Sequence, residues 1–150
     1  MLKSNLIKIQ NFMNISLKKK PIFFETLNIF IEQLKLLNNI NPEETEENQK
    51  TFIRDFLINT FNYKINTSGD IDWAIFNELN KVEVIIEVKR IINESEMVNK
   101  EDFLRKAFFE TILYFMQERN QGNIDLKHII ITNVHTWFII DASEYERIFW

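Results

Sequence analysis

Cysteine is absent from the 150 residues, which removes disulfides, thiolate metal sites and cysteine nucleophiles and fits a reducing interior. Glycine is nearly absent as well. Gly69 and Gly122 stand alone, so no glycine-rich loop is present to cradle a phosphate. Histidine occurs only at His128 and His135, seven positions apart with no cysteine companion, a spacing that argues for surface or packing roles over zinc binding. The serines lack any arrangement with histidine and aspartate that would make a hydrolase triad. No run of eighteen apolar residues exists, so no membrane-spanning helix is expected. The first residues alternate Lys, Asn and apolar side chains too closely for a secretory signal. Internal repeats and low-complexity linkers are missing too.

An excess of positive charge is also lacking. The net charge is −4, whereas a stand-alone DNA binder is more often basic. The charge is uneven, however. Residues 1–20 carry Lys3, Lys8, Lys18, Lys19 and Lys20 and no acid, a balance of +5, which leaves −9 for the rest of a chain whose total is −4. Residues 1–20 therefore read as a basic arm or a short helix, whose lysines are more often solvated than in contact with phosphates. An acidic body is compatible with a metal site, which needs carboxylates.

What the chain does have is enough apolar matter for a core. It is 45% hydrophobic with 14 Phe, and its length suits one domain, placed at residues 21–150. Phe23, Leu27, Phe30, Leu34 and Leu37 repeat at helical spacing, with Pro21 suited to the helix start and Asn38–Pro42 ending it. A second helix starts near Pro42 to Thr45, with Glu43, Glu44, Glu46 and Glu47 crowding its first turn, where the helix dipole favours acids. Phe52, Ile53, Phe56, Leu57 and Thr60 mark its buried face. Glu46 and Gln49 fall on or beside that face and Glu47 away from it.

From Tyr63 the pattern changes to strands. Residues 63–67, 71–76 and 82–89 read as a meander, with Ser68-Gly69 as the first turn and 77–81 as the hairpin loop. A polar connector at 93–100 leads to a long helix at 101–118. Leu104, Ala107, Phe108, Thr111, Ile112 and Phe115 form its core stripe, and Lys106, Glu110 and Tyr114 its opposite side. Residues 128–132 and 137–140 read as two more strands. The predicted order is α-α-β-β-β-α-β-β, an α/β fold with a mixed central sheet flanked by helices.

The chemistry centres on Glu87-Val88-Lys89. Alternation puts Glu87 and Lys89 on one face of a strand that is otherwise apolar and should be central. Charges taken out of water cost several kcal/mol unless compensated. Asp72 begins the neighbouring strand, and a hairpin centred near Leu79 sets it opposite roughly residue 86 or 87. Two adjacent carboxylates repel, and a divalent cation between them removes the conflict. Oxygen ligands select a hard ion such as Mg²⁺. Lys89 beside that ion can orient a water and offset the negative charge that builds as a phosphodiester is displaced. A second metal needs Glu46 or Glu110. An E-x-K triplet alone also arises as a salt bridge at a sheet end; the acid fifteen residues earlier, just after a glycine turn, favours the catalytic reading.

These residues carry a resemblance. Gly69-Asp70-Ile71-Asp72, followed by Val84-Ile85-Ile86-Glu87-Val88-Lys89, resembles the PD-(D/E)XK nuclease signature, with Ile71 where the motif's nominal proline would stand. The wider pattern is similar to the N-terminal nuclease region of fused type IIG (IIS-like) restriction–modification enzymes. It comprises Glu46–Lys50, Asp55-Phe56-Leu57, Ile65-Asn66-Thr67, Lys106-Ala107-Phe108, Glu110, Leu113-Tyr114, Ile131-Thr132-Asn133 and Trp137-Phe138, and spans residues 22–150. The resemblance implies a Mg²⁺-dependent endonuclease acting on double-stranded DNA in the cytoplasm of a prokaryotic cell, with Mn²⁺ as a substitute ion. By carry-over, Asp72, Glu87 and Val88 bind the metal, Lys89 assists the attacking water and Glu46 completes the catalytic set. Lys106, Glu110 and Tyr114 flank the substrate. Such enzymes continue into a helical connector, a methyltransferase and a target-recognition domain, and no S-adenosylmethionine loop or Asn-Pro-Pro-Tyr-type motif is found here. With the chain stopping at Phe149-Trp150, the expectation is a catalytic piece of a longer enzyme or one working beside separate subunits, with a transient dimer to cut both strands. Two other readings are a repair or recombination nuclease of the same fold and a non-catalytic DNA-binding or assembly module.

Overall fold

A computed structural model describes residues 24–150. The basic arm, Pro21 and Phe23 lie outside the described residues. Helix α1 (Phe24–Asn38) leads to α2 (Glu46–Phe61), then to strands β1 (Ile65–Ser68), β2 (Ile71–Phe76) and β3 (Val82–Val88). Helix α3 (Lys106–Asn120), strands β4 (His128–Thr132) and β5 (Trp137–Asp141) and helix α4 (Ala142–Phe149) follow. The five strands form one sheet in the order β1-β2-β3-β4-β5. Only β3 and β4 run parallel, joined through α3, and the other neighbours are antiparallel. The expected α/β architecture with a mixed sheet is therefore present.

Alternation along β3 divides the core in two. Ile85 faces a cluster built with Ala107, Phe108 and Phe115 of α3 and Tyr145 of α4. Ile86 and Val88 face the cluster built with Ile53, Phe56 and Leu57 of α2 and Leu37 of α1. The sheet thus lies between a pair of helices on each face.

Helix α2 begins where its sequence directs. Thr45 is extended (φ −61°, ψ 154°) and its Oγ1 accepts from the Asn48 N–H, with Glu46 and Glu47 in the first turn. Ser68-Gly69 turns the chain with Gly69 at φ +57°, a conformation that costs glycine little. The hairpin register pairs Trp73 with Ile86 and Ala74 with Ile85, so continuing it one residue sets Asp72 opposite Glu87.

Some expectations shift. Strand β1 starts two residues later than predicted, at Ile65. Helix α3 starts at Lys106, five residues late, because Asn99 Oδ1 accepts from the backbone of Glu101 and Asp102, and Asp102 Oδ1 from Leu104, holding a turn. Leu104 accordingly lies outside the helix and is exposed, not core. Phe52 is exposed, while Gln49 takes a fully buried place on the inner face of α2. The stripe on α1 is only partly used. Leu37 is buried and Phe30 half-buried against α2, whereas Leu27 and Leu34 are exposed. The closing helix α4 was not anticipated. Asp141 caps it by accepting from Ser143 N, and Tyr145 is its buried anchor, with its hydroxyl 2.8 Å from Thr111 Oγ1.

Candidate functional site

The open end of the β2–β3 pair gathers charge. Asp72 stands at the start of β2, Glu87 near the end of β3 and Lys89 one residue past it. Glu87 and Lys89 have the parity of Ile85 and so face α3. Glu87 is 2% exposed and Lys89 4% exposed, values that charged side chains reach only with partners. Lys89 Nζ lies 2.6 Å from Glu87 Oε1, 2.6 Å from Glu110 Oε2 and 3.8 Å from Glu96 Oε2. Lys106 extends the chain of charges, 3.0 Å from Glu96 and 3.8 Å from Glu110.

On the α2 side, Lys50 Nζ lies 2.8 Å from Asp72 Oδ1, 3.0 Å from Glu46 and 3.3 Å from the exposed Glu47. The other Asp72 oxygen accepts from the Val88 N–H at 3.0 Å, which ties the carboxylate to the backbone between Glu87 and Lys89. Trp73 secures this corner, because its indole N–H donates to the Lys50 carbonyl at 2.9 Å.

Leaving out the exposed Glu47, five carboxyl groups (Glu46, Asp72, Glu87, Glu96 and Glu110) face three ammonium groups (Lys50, Lys89 and Lys106), which fully ionised would leave the cluster two charges short of neutral. The shortfall is felt most at Glu87. Burial, and then the Asp72 charge, push its carboxyl up to about 8 against the pull of Lys89. Its Oε2 is buried with no hydrogen-bond partner. Burial would lower Lys89 and Lys50, but the acids around each outweigh it, so both amines stay above their ordinary value and charged. Burial, then the charges of Glu87, Glu110 and Asp72, hold the Tyr114 hydroxyl well above its usual range. Tyr114 therefore keeps its proton at neutral pH and can offer a hydrogen bond.

The predicted residues fall in place unequally. Asp72, Glu87 and Lys89 converge. Glu110 joins them directly through Lys89, and Lys106 through Glu96 and Glu110. Tyr114 was expected on the side of its helix opposite the core stripe; it is buried instead, because the Lys106–Glu110–Tyr114 stripe runs along the seam between α3 and the sheet. Glu46 reaches the cluster only by way of Lys50. Val88 can offer a cation nothing but its carbonyl oxygen.

Sequence reasoning missed two members. Lys50 was part of the recognised pattern but had no assigned role; its position four residues after Glu46 was the available signal. Glu96 sits in an irregular segment where no periodicity marks it.

As a metal centre the donors fit in part. Two hard oxygen ligands, one with an unpartnered buried atom, and a surplus of two negative charges once Glu87 is ionised suit a divalent cation. Among the described residues, however, no three His, Cys, Asp or Glu side chains form a ready ligand group, so a third ligand has to come from the Val88 carbonyl or from solvent. Both Asp72 oxygens already accept a hydrogen bond or ion pair, which leaves a second lone pair on each. Two open clefts, of about 580 and 680 Å³, lie at the opposite end of the sheet around His128 and around Asn77, and neither touches this cluster. No helix among the described residues is long and apolar enough to cross a membrane.

Residues 7–150 match a family described as a domain of unknown function (DUF7149), and the chain belongs to that family. No curated protein and no solved structure matches it.

Proposed function

We propose that this DUF7149 domain is the catalytic part of a Mg²⁺-dependent DNA endonuclease of the PD-(D/E)XK type, serving a restriction–modification system inside a prokaryotic cell. One observation carries the reading. A buried carboxyl group, Glu87, keeps one oxygen without a partner beside Asp72 and Lys89, in a cluster that fully ionised is two positive charges short of balance. Asp72, Glu87 and the Val88 carbonyl would hold the ion. Bound there, a divalent cation supplies Lewis-acid polarisation of a phosphoryl oxygen.

The chain's own side chains supply the rest. Lys89, held 2.6 Å from both Glu87 and Glu110, is fixed in place without being neutralised by one partner alone. It can orient a water for attack and offset the charge that builds on the phosphate. Tyr114, kept protonated, offers a hydrogen bond from the same side. Lys106, 55% exposed, is the cation best placed to meet a backbone phosphate at the rim. A net charge of −4 gives the chain little electrostatic hold on DNA, which suits a catalytic piece whose target recognition comes from methyltransferase and target-recognition domains in the same polypeptide or complex.

A second reading is favoured by the ion pairs themselves. Every acid of the cluster, Glu87 included through its Oε1, already has a lysine partner, as in a structural salt-bridge network within a non-catalytic DNA-binding or assembly module. Nicking of supercoiled plasmid separates the two. The nuclease reading expects nicking in Mg²⁺ that stops with EDTA and falls about 10²–10³-fold in Lys89→Ala. Wild-type and variant preparations that nick equally would leave the structural network as the better account.

A further inference from the structure

Gln49 is the one fully buried polar side chain on the inner face of α2, set among Ile53, Phe56 and Leu57. A leucine there would extend the apolar face, and a buried amide is costly unless its donors and acceptor are all used. They are used on two segments distant in sequence. Its Nε2 donates to the carbonyls of Pro42 (3.1 Å) and Glu44 (3.2 Å), and its Oε1 accepts from the Ile91 N–H at 2.9 Å. Arg90 closes the same gap from the other bank. Its guanidinium donates through Nε to the Glu44 carbonyl and through Nη2 to the Glu43 carbonyl, both at 3.1 Å.

The location of this clasp gives it meaning. The Lys89 N–H to Thr132 carbonyl bond, at 2.9 Å, is the last that ties this strand to β4. Arg90 and Ile91 have already left the sheet, and what holds them is the lead into α2. That helix also carries Lys50, the residue after Gln49, onto Asp72, and Glu46 onto Lys50. The two ends of the charged cluster are thus fastened together by Gln49, one residue from Lys50, and by Arg90 and Ile91, one and two residues from Lys89.

We propose that Gln49, assisted by Arg90, is a positioning residue that locks the backbone just past Lys89 to the helix bearing Lys50 and Glu46, and so fixes the spacing of Asp72, Glu87 and Lys89 for a divalent cation. The inference rests on the reading of those three residues as a cation site. It assigns Gln49 no contact with the ion or with DNA. Removing an outer partner that orients metal ligands typically weakens the site by about 10–100-fold.

The test is calorimetric titration of Mn²⁺ into the whole chain as wild type, Gln49→Leu and Arg90→Ala, with Ile53→Val as a control that loosens packing on the same helix face but removes none of the clasp's hydrogen bonds. Arg90 is only half-buried, so its variant remains informative should Gln49→Leu fold poorly. We expect Mn²⁺ affinity to fall about tenfold or more in Arg90→Ala and in folded Gln49→Leu, and to stay at the wild-type value in Ile53→Val despite its lower melting temperature. Wild-type affinity in both clasp variants, or an equal loss in the control, would overturn the positioning role while leaving the cation site standing. Absence of Mn²⁺ uptake by the wild-type chain would remove the cation site and the inference together.

Discussion

Glu87 is where stability and function pull apart. Its carboxyl is pushed up from 4.5 to about 8 by burial first and by Asp72 second. Below pH 4.5 the group is protonated in both the folded and the unfolded chain and costs nothing. Between 4.5 and 8 the unfolded chain has released the proton that the folded chain retains, so stability falls as pH rises through that window. In EDTA the wild-type melting temperature should therefore decline from about pH 5 to pH 8 more steeply than that of Glu87→Gln, and the variant should be the more stable of the two at pH 8. Parallel melting curves across that range would mean that Glu87 ionises in the fold as readily as in water. The residues that made this visible in the sequence were an acid and a lysine two apart in an apolar strand, with a second acid on the adjoining strand. What stayed hidden was the opposing set of charges. Lys50 and Glu96 reach the cluster from a helix face and an irregular loop, and which carboxylate each one finds is decided by tertiary packing.

At the scale of elements, the strands were the most legible. Strand β2 runs over the predicted residues 71–76 and β3 over all but the last of the predicted 82–89, because β-branched runs between turn residues leave few alternatives. Helix α3 was found but its start was misread, since Asn99 and Asp102 build a turn from side-chain hydrogen bonds that apolar spacing does not register. Helix α4 was missed. It has only eight residues, and its signals, an Asp cap and Ala142, Tyr145 and Phe149 on one side, fit within two turns. Yet it bears on the core. Tyr145 is 2% exposed and meets Phe108, Phe115 and Phe149 at ring-centroid distances of 5.7, 5.6 and 5.4 Å. Tyr145→Ala should cost about 3–5 kcal/mol in chemical denaturation, and Tyr145→Phe, which loses only the bond to Thr111, about 1 kcal/mol. A loss below 1 kcal/mol in the alanine variant would show that α4 is not docked on the sheet as described.

The mixed sheet gathers the charged cluster at one end. Strands β3 and β4 are parallel, so α3 must cross over one face, and in doing so it lays Glu110 and Tyr114 beside Glu87 and Lys89. The antiparallel β2 returns Asp72 to the same end, and α2 closes it with Lys50. The class of fold and the meeting of three residues could be foreseen from periodicity and hairpin register. The number and sign of the charges around them depended on which faces the helices presented. Everything functional then turns on whether Asp72 and Glu87 together hold a divalent cation. The direct measurement is calorimetry of Mg²⁺ and Mn²⁺ binding to the wild-type chain and to Asp72→Asn at neutral pH. The account predicts saturable uptake by the wild type and at least about tenfold weaker binding by the variant. Equal affinities, or no uptake by the wild type, would contradict it.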